Sequence, residues 1–322
     1  MQEGEQTMKL VKLLVVVSLV VALIAPSALA ADKKLTFVMV PKGVHPYYEP
    51  CFEGFKAAAE KYGITVEYQA PQDFDIALQV RVLEDLIARG VDGIAISALD
   101  DKPLVPVIKQ AMDAGIKVIT FDAPAPSSAQ LCYIGTNNKN AGYAGGKMIA
   151  ELMGKKGDLA ILQGGIAAPN LNLRAEGVKE AIATEAPEVK IVTLEDTQGK
   201  FDETVNKSEA SLQTYPDLKA IFGVSAECAP GASTVVREQG KGGQVLLAGF
   251  DDLKDTLQGI RDGLVQFCIV QKTFTMGWLS VENLKAAVEG KEIPKEIDTG
   301  VIIVTKENID TYMDDMKKEL AQ

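Results

Sequence analysis

Short, almost uninterrupted apolar runs alternate along this chain with longer stretches in which apolar residues recur every three to four positions. The runs begin at Leu35 (LTFVMV), Ile64 (ITVEY), Gly93 (GIAIS), Ile116 (IKVITF) and Leu131 (LCYIG). Helical patterns lie between the earlier ones, among them Phe52–Tyr62, Ile76–Arg89 and Leu104–Ala114. The rhythm repeats at Leu159 (LAILQG), Val189 (VKIVTL), Lys219 (KAIFGV), Gln244 (QVLLAG) and Val265 (VQFCIV). A strand that is apolar on both faces must be covered on both faces. Continuous runs alternating with amphipathic helices therefore predict parallel sheets wrapped by helices. The repeat of about 30 residues, run twice, predicts an α/β protein of two doubly wound lobes with five strands each. Gly63, Gly90 and Gly115 fall just after helical patterns, where a left-handed C-cap is wanted.

The N-terminus breaks this rhythm. Lys9 and Lys12 precede a 13-residue apolar run, Leu13 to Ala25, and Ala28-Leu29-Ala30 offers small residues for cleavage. Together they read as a secretory signal peptide over residues 1–30, with Met8 as the start of translation. The run is too short to span a bilayer, and no cysteine follows the cleavage point to carry a lipid anchor. The mature chain is expected to begin at Ala31 and to run free, without a lipid anchor, in an extracytoplasmic compartment.

Composition then narrows the function. Of 322 residues 47% are apolar, enough for a sizeable core, and 33 Lys and Arg against 44 Asp and Glu give a net charge of −11. Such acidity argues against a nucleic-acid partner, which needs a basic face. The single histidine, His45, excludes a metal centre built from several imidazoles, and no Gly-x-Ser-x-Gly elbow accompanies it. Gly145-Gly146 reads as close helix packing, because no Lys-Ser/Thr follows to make a phosphate cradle. No catalytic residue, metal or cofactor is expected, and the chain does not read as an enzyme. Cys51, Cys132, Cys228 and Cys268 allow three fully paired connectivities, but a core of this size needs none, and buried free thiols are preferred.

Ligands of doubly wound sheets bind beyond the carboxyl ends of the strands, and the chemistry-bearing residues stand there. Lys42, His45, Tyr47 and Tyr48 follow the first strand, and Asp122 ends the fourth. Asn172 and Arg174 open the helix after the sixth, Phe201 follows the seventh and Ser225 the eighth. Asp251 follows the ninth strand and Gln271 the tenth. Carboxylates and an arginine grip vicinal hydroxyls in forked pairs while rings cover C–H faces, so this set suits a neutral polyol. Plainer readings stand beside it. An aspartate ending a strand can merely cap a turn, Lys42 can be a solvated rim charge, His45 a turn residue, and Phe201 a core ring. Trp278, in an apolar helix, reads as packing.

Five blocks carry a family resemblance: Pro46-Tyr47-Tyr48, VITFD ending at Asp122, IGTNN at 134–138, RAEG from Arg174, and GFD ending at Asp251. In this order they resemble the periplasmic ribose-type sugar-binding proteins of ABC transporters, over residues 32–305. The resemblance implies that Tyr47, Tyr48 and Phe201 stack on a sugar while Asp122, Arg174, Asp251 and Gln271 bind its hydroxyls. His45 and Ser225 stand where that family often has asparagine. Ala123 replaces the arginine of ribose binders, and Ser225-Ala226 replaces their Asn-Asp. Pro41-Lys42 is similar to the rhamnose and furanosyl-autoinducer branches, in which the lysine can face the ligand. The resemblance further implies a periplasmic binding protein of type I, with one lobe formed by residues 32–136 and 272–299 and the other by 137–271 and 300–322. Three crossing segments would make the hinge, the lobes would close on a sugar, and the closed form would meet a membrane permease. A sensory protein presenting a sugar or autoinducer to a membrane receptor would share the fold.

Overall fold

The computed structural model describes residues 34–320; the expected signal peptide and the start at Ala31 lie outside the described residues. Two sheets organise the chain. The first takes β1 (Thr36–Val40), β2 (Thr65–Tyr68), β3 (Gly93–Ile96), β4 (Lys117–Phe121), β5 (Tyr133–Gly135) and β11 (Glu296–Asp298), in the order β11-β5-β4-β3-β1-β2. The second takes β6 (Lys156–Gln163), β7 (Glu188–Asp196), β8 (Leu218–Gly223), β9 (Leu246–Phe250), β10 (Val265–Gln271) and β12 (Val301–Thr305), in the order β12-β10-β9-β8-β6-β7. All pairings are parallel except β10 with β12. Each sheet thus has six strands where the apolar runs predicted five. The additional ones are edge strands, and β11, a three-residue stretch with two exposed carboxylates, has no continuous apolar run to announce it.

Alternation along the strands explains why both faces are covered. In β1, Phe37 and Met39 face one core, with α1 (Glu49–Tyr62) and α9 (Thr273–Val288), while Val38 and Val40 face another, with α2 (Ile76–Arg89) and α3 (Asp101–Asp113). The second sheet repeats this. Leu159, Ile161, Phe222 and Ile269 pack beneath α4 (Asn138–Leu152) and α5 (Pro169–Glu185). Ala160, Leu162, Cys268 and Val270 pack against α6 (Phe201–Thr214), α7 (Cys228–Glu238) and α10 (Ile309–Leu320), with α8 (Lys254–Arg261) alongside. All four cysteines are buried free thiols within these cores. Trp278 packs on the first core, its ring stacked on Phe274.

Helices α4 and α5 touch almost backbone to backbone. A Cβ on Gly142 would overlap the Arg174 carbonyl, and one on Gly177 would overlap that of Lys139. Gly146, facing Val178, continues the seam. This contact carries Arg174, which is only 1% exposed, down toward the ends of β8 and β9. Gly142→Ala should force the helices apart and cost about 1–3 kcal/mol, the usual range for overpacking. Urea unfolding measures it; an unchanged midpoint would contradict the close contact.

Candidate ligand-binding site

A cavity opens at the carboxyl ends of both sheets. From the first sheet come Lys42, His45, Tyr47, Tyr48, Leu99 and Asp122, and from the second Arg174, Ser225, Glu227, Asp251 and Gln271. Proline and the β1 exit set the first wall. His45 is extended and its Nδ1 accepts the Tyr47 N–H at 3.1 Å, capping a 3-10 turn, Pro46–Tyr48, that presents both tyrosines. Behind it the buried Gln79 donates to the carbonyls of Pro41 (2.9 Å) and Ser97 (2.8 Å) and accepts from the Leu99 N–H at 3.1 Å, tying the loops after β1 and β3 together.

Asp122 is the centre of that wall. Its Oδ1 accepts from the Tyr47 hydroxyl at 3.0 Å; its Oδ2 accepts from Ser97 at 2.6 Å and Tyr48 at 3.3 Å, with Lys42 Nζ at 3.6 Å. Burial works against its charge, but Lys42, Arg174 and the hydroxyl donors outweigh it and hold the carboxyl below its ordinary range. Lys42 is not a rim charge. It is 6% exposed and donates to Asn170 Oδ1, across the cavity, at 2.9 Å. Burial lowers its pKa, against the pull of Asp122, and burial likewise lowers that of His45.

The opposite wall is less complete. Asp251 accepts from Gln271 Nε2 at 3.0 Å, and burial raises its pKa to about 7 although Arg174 opposes this. Arg174 Nη2 and Gln271 Oε1 are buried without a protein partner. Ser225 and Thr197 both donate to Glu227 Oε1, at 2.5 and 2.8 Å. Asp122 and Asp251 occupy the same kind of turn, both left-handed at φ +58° and +66° immediately after a strand-ending phenylalanine.

Two residues read from the sequence as site residues stand elsewhere. Asn172 is absent from the cavity wall; it accepts from Gln163 Nε2 at 2.6 Å and donates to the Ile166 carbonyl at 2.9 Å. On a helix, residues four apart share a face and residues two apart do not, so Asn170, not Asn172, accompanies Arg174. Phe201 begins α6, 44% exposed, and does not line the cavity. The ring at the mouth is Phe74, edge-on to His45 with centroids 6.2 Å apart and close to Gly43 and Gly199. Phe74 and Asn170 are thus wall residues the sequence reading missed, while Glu227 lines the wall just after the eighth strand, beside Ser225. The signal for Phe74 was an isolated aromatic beside the N-cap Asp75, and for Asn170 the i, i+4 spacing. Among the described residues no cluster could hold a metal ion, and no helix is long and apolar enough to cross a membrane.

The periplasmic binding protein domain family matches residues 36–292. The D-ribose/D-allose-binding protein of Pseudomonas aeruginosa is 31% identical over 211 residues, covering 62% of this chain and 66% of that protein. An ABC transporter solute-binding protein from Burkholderia graminis, solved with D-arabinose, is 40% identical with a TM-score of 0.85, covering 87% of this chain and 99% of that one. A chain of a XylFII–LytSN complex is also similar, at 29% identity and a TM-score of 0.80, covering 85% of this chain and 98% of that one.

The raised pKa of Asp251 has a stability consequence. Between about pH 4 and pH 7 the folded protein keeps this proton and the unfolded chain releases it, so raising the pH favours unfolding through this group. Its contribution is fully present below its unfolded pKa and lost as the pH passes about 7. The ligand-free protein, compared with Asp251→Asn, should therefore lose stability by at most about 1.4 kcal/mol per pH unit over that window. Denaturation of both proteins across the range reads the difference; a pH-independent difference would contradict the assignment.

Proposed function

This chain belongs to the periplasmic binding protein family, with the type I fold, and on that premise we propose that it captures a neutral monosaccharide or related polyol. The observation that carries the reading is the pair of unpartnered buried atoms, Arg174 Nη2 and Gln271 Oε1, beside Asp251. One is a donor and one an acceptor. A hydroxyl is both, and vicinal hydroxyls can serve Arg174, Asp251 and Gln271 together. Tyr47, Tyr48, His45 and Phe74 supply apolar surface for the C–H faces of a sugar ring.

Charge argues for neutrality. Lys42 and Arg174 stand against Asp122 and Glu227, with Asp251 giving up its proton only near pH 7, and Lys42 is already engaged by Asp122. An acid sugar would meet carboxylates on both walls. The Burkholderia relative was solved with D-arabinose, and the Pseudomonas relative is a D-ribose/D-allose binder; both fit this class.

The working cycle follows from a divided site. We assign residues 32–136 and 272–299 to one lobe and 137–271 and 300–322 to the other, crossing near 135–138, 271–272 and 298–300. The pairing of β11 with β5 and of β12 with β10 supports this division. A ligand that touches both walls favours the closed arrangement and shifts the population toward it. The closed protein, monomeric in the periplasm after its signal peptide is removed, then delivers the sugar unchanged to an ABC permease. The XylFII–LytSN relative favours a second reading, in which the closed form reports a sugar to a membrane receptor. Neighbouring genes for a permease and ATPase, or for a sensor kinase, separate the two.

Arg174→Ala or Asp251→Ala should weaken binding of the sugar selected from a thermal-shift screen of pentoses, hexoses, deoxysugars and polyols. The loss of a buried partner, about 1–3 kcal/mol, corresponds to roughly tenfold to a hundredfold in affinity. Calorimetry that found wild-type affinity in both variants would overturn the proposed cavity.

A further inference from the structure

The guanidinium of Arg174 is held on three sides. Nε donates to Asn138 Oδ1 at 2.8 Å, Nη1 donates to the Val224 carbonyl at 3.0 Å, and Cζ lies 4.2 Å from the centre of the Phe250 ring. Only Nη2 is left without a protein partner. Asn138 is pinned in its turn: its Nδ2 donates to the Tyr133 hydroxyl and to the Thr136 carbonyl, each at 3.0 Å. The single proton of the Tyr133 hydroxyl is shared between the Asp122 carbonyl at 3.0 Å and the Thr136 carbonyl at 2.9 Å. The first of these contacts fixes the left-handed turn from which the Asp122 carboxylate projects. The ring reaches back over its own strand, where a Cβ on Gly135 would overlap its hydroxyl.

Arg174, Asn138, Tyr133 and Asp122 thus form one chain, with exposures of 1, 3, 6 and 2%. It starts on α5 of the second sheet, passes the first residue of α4, and ends on β5 and the end of β4 in the first sheet. It follows the backbone at the point where the chain leaves one sheet for the other. Neither Asn138 nor Tyr133 lines the cavity.

We propose that Asn138 and Tyr133 are positioning residues, a buried hydrogen-bond bridge through the hinge that presets Arg174 and Asp122 relative to each other for the ligand. This rests on the reading of the cavity as a sugar site. An unclamped arginine would have to be ordered by the ligand, and that ordering would be subtracted from affinity. The bridge fixes Nε and Nη1 and so leaves the free donor, Nη2, to the ligand.

Two measurements test the bridge. In the ligand-free protein the Arg174 Nε–H, assigned in ¹⁵N-labelled protein by its loss in Arg174→Lys, should exchange slowly with water. Asn138→Ala should abolish that protection, while Asn138→Asp, which keeps Oδ1, should retain it. An unchanged signal in Asn138→Ala would overturn the proposal. Affinity is then measured by calorimetry, using whichever of D-arabinose, D-ribose and D-allose raises the melting temperature most. Asn138→Ala should weaken binding roughly tenfold, the scale of one buried hydrogen bond, and should cost nothing further in the Arg174→Ala background. Equal losses in both backgrounds would mean that Asn138 acts only through general structure, which overturns the proposal. Should Asn138→Ala fail to fold, Tyr133→Phe, which takes one of the two partners from Asn138 Nδ2, enters the exchange measurement alone: faster exchange of the Arg174 Nε–H supports the bridge, and unchanged protection overturns it. If none of the three binds the wild type, the best ligand of the wider screen of pentoses, hexoses, deoxysugars and polyols takes their place; if nothing in that screen binds, the sugar reading is contradicted, and the exchange measurement still decides the bridge.

Discussion

A carboxylate removed from water must be given other partners, and the first wall of the cleft is built to do this for Asp122. Three strand ends contribute. The turn after β1 brings Lys42, Tyr47 and Tyr48, the residue after β3 is Ser97, and β4 delivers Asp122 itself. Only a parallel sheet places these ends side by side. The requirement therefore reaches back to the strand order β4-β3-β1, to the 3-10 turn that presents the tyrosines, and to Gln79, which holds the loops level.

The second wall uses the same turn and leaves it incomplete. Asp251 leaves its strand in the same left-handed conformation, yet its hydrogen-bond partner from the protein is Gln271, and burial keeps its proton on to about pH 7. Arg174 lies nearby with one donor free. One wall is thus satisfied by the protein and the other is not. The difference explains how a ligand can bring the walls together. In the proposed cycle a sugar would complete the second set only when the first set and its rings cover the other side, and the missing bonds would then be the driving force for closure.

Much of this was legible in the sequence, for a physical reason. In a parallel sheet the apolar runs mark the strands, and the residue after each run has few places to go, so Asp122, Asp251, Gln271 and the tyrosines could be read directly as facing one cleft. What depends on distances between elements could not be read that way. For Lys42 the sequence leaves a ligand-facing charge and a rim charge both open, because neither Asn170 nor Asp122, its partners, is near it in sequence. Asn172 lies two residues from Arg174 and so turns away from it, while Asn170, four residues away, shares its face. Phe201 is turned outward at the start of α6, while the loop before Asp75 turns Phe74 to the cavity mouth, a difference that no local pattern encodes. The close seam of α4 and α5 was visible only as Gly145-Gly146, whereas the contact that carries Arg174 is made by Gly142 and Gly177.

The central claim is that one ligand is held by both walls at once. Small-angle X-ray scattering of the protein, without ligand and saturated with the sugar that calorimetry selects, tests it most directly. Closure around the ligand predicts a smaller radius of gyration in the saturated sample and a shift that follows the binding isotherm. An identical radius in the two samples, at full saturation, would contradict it.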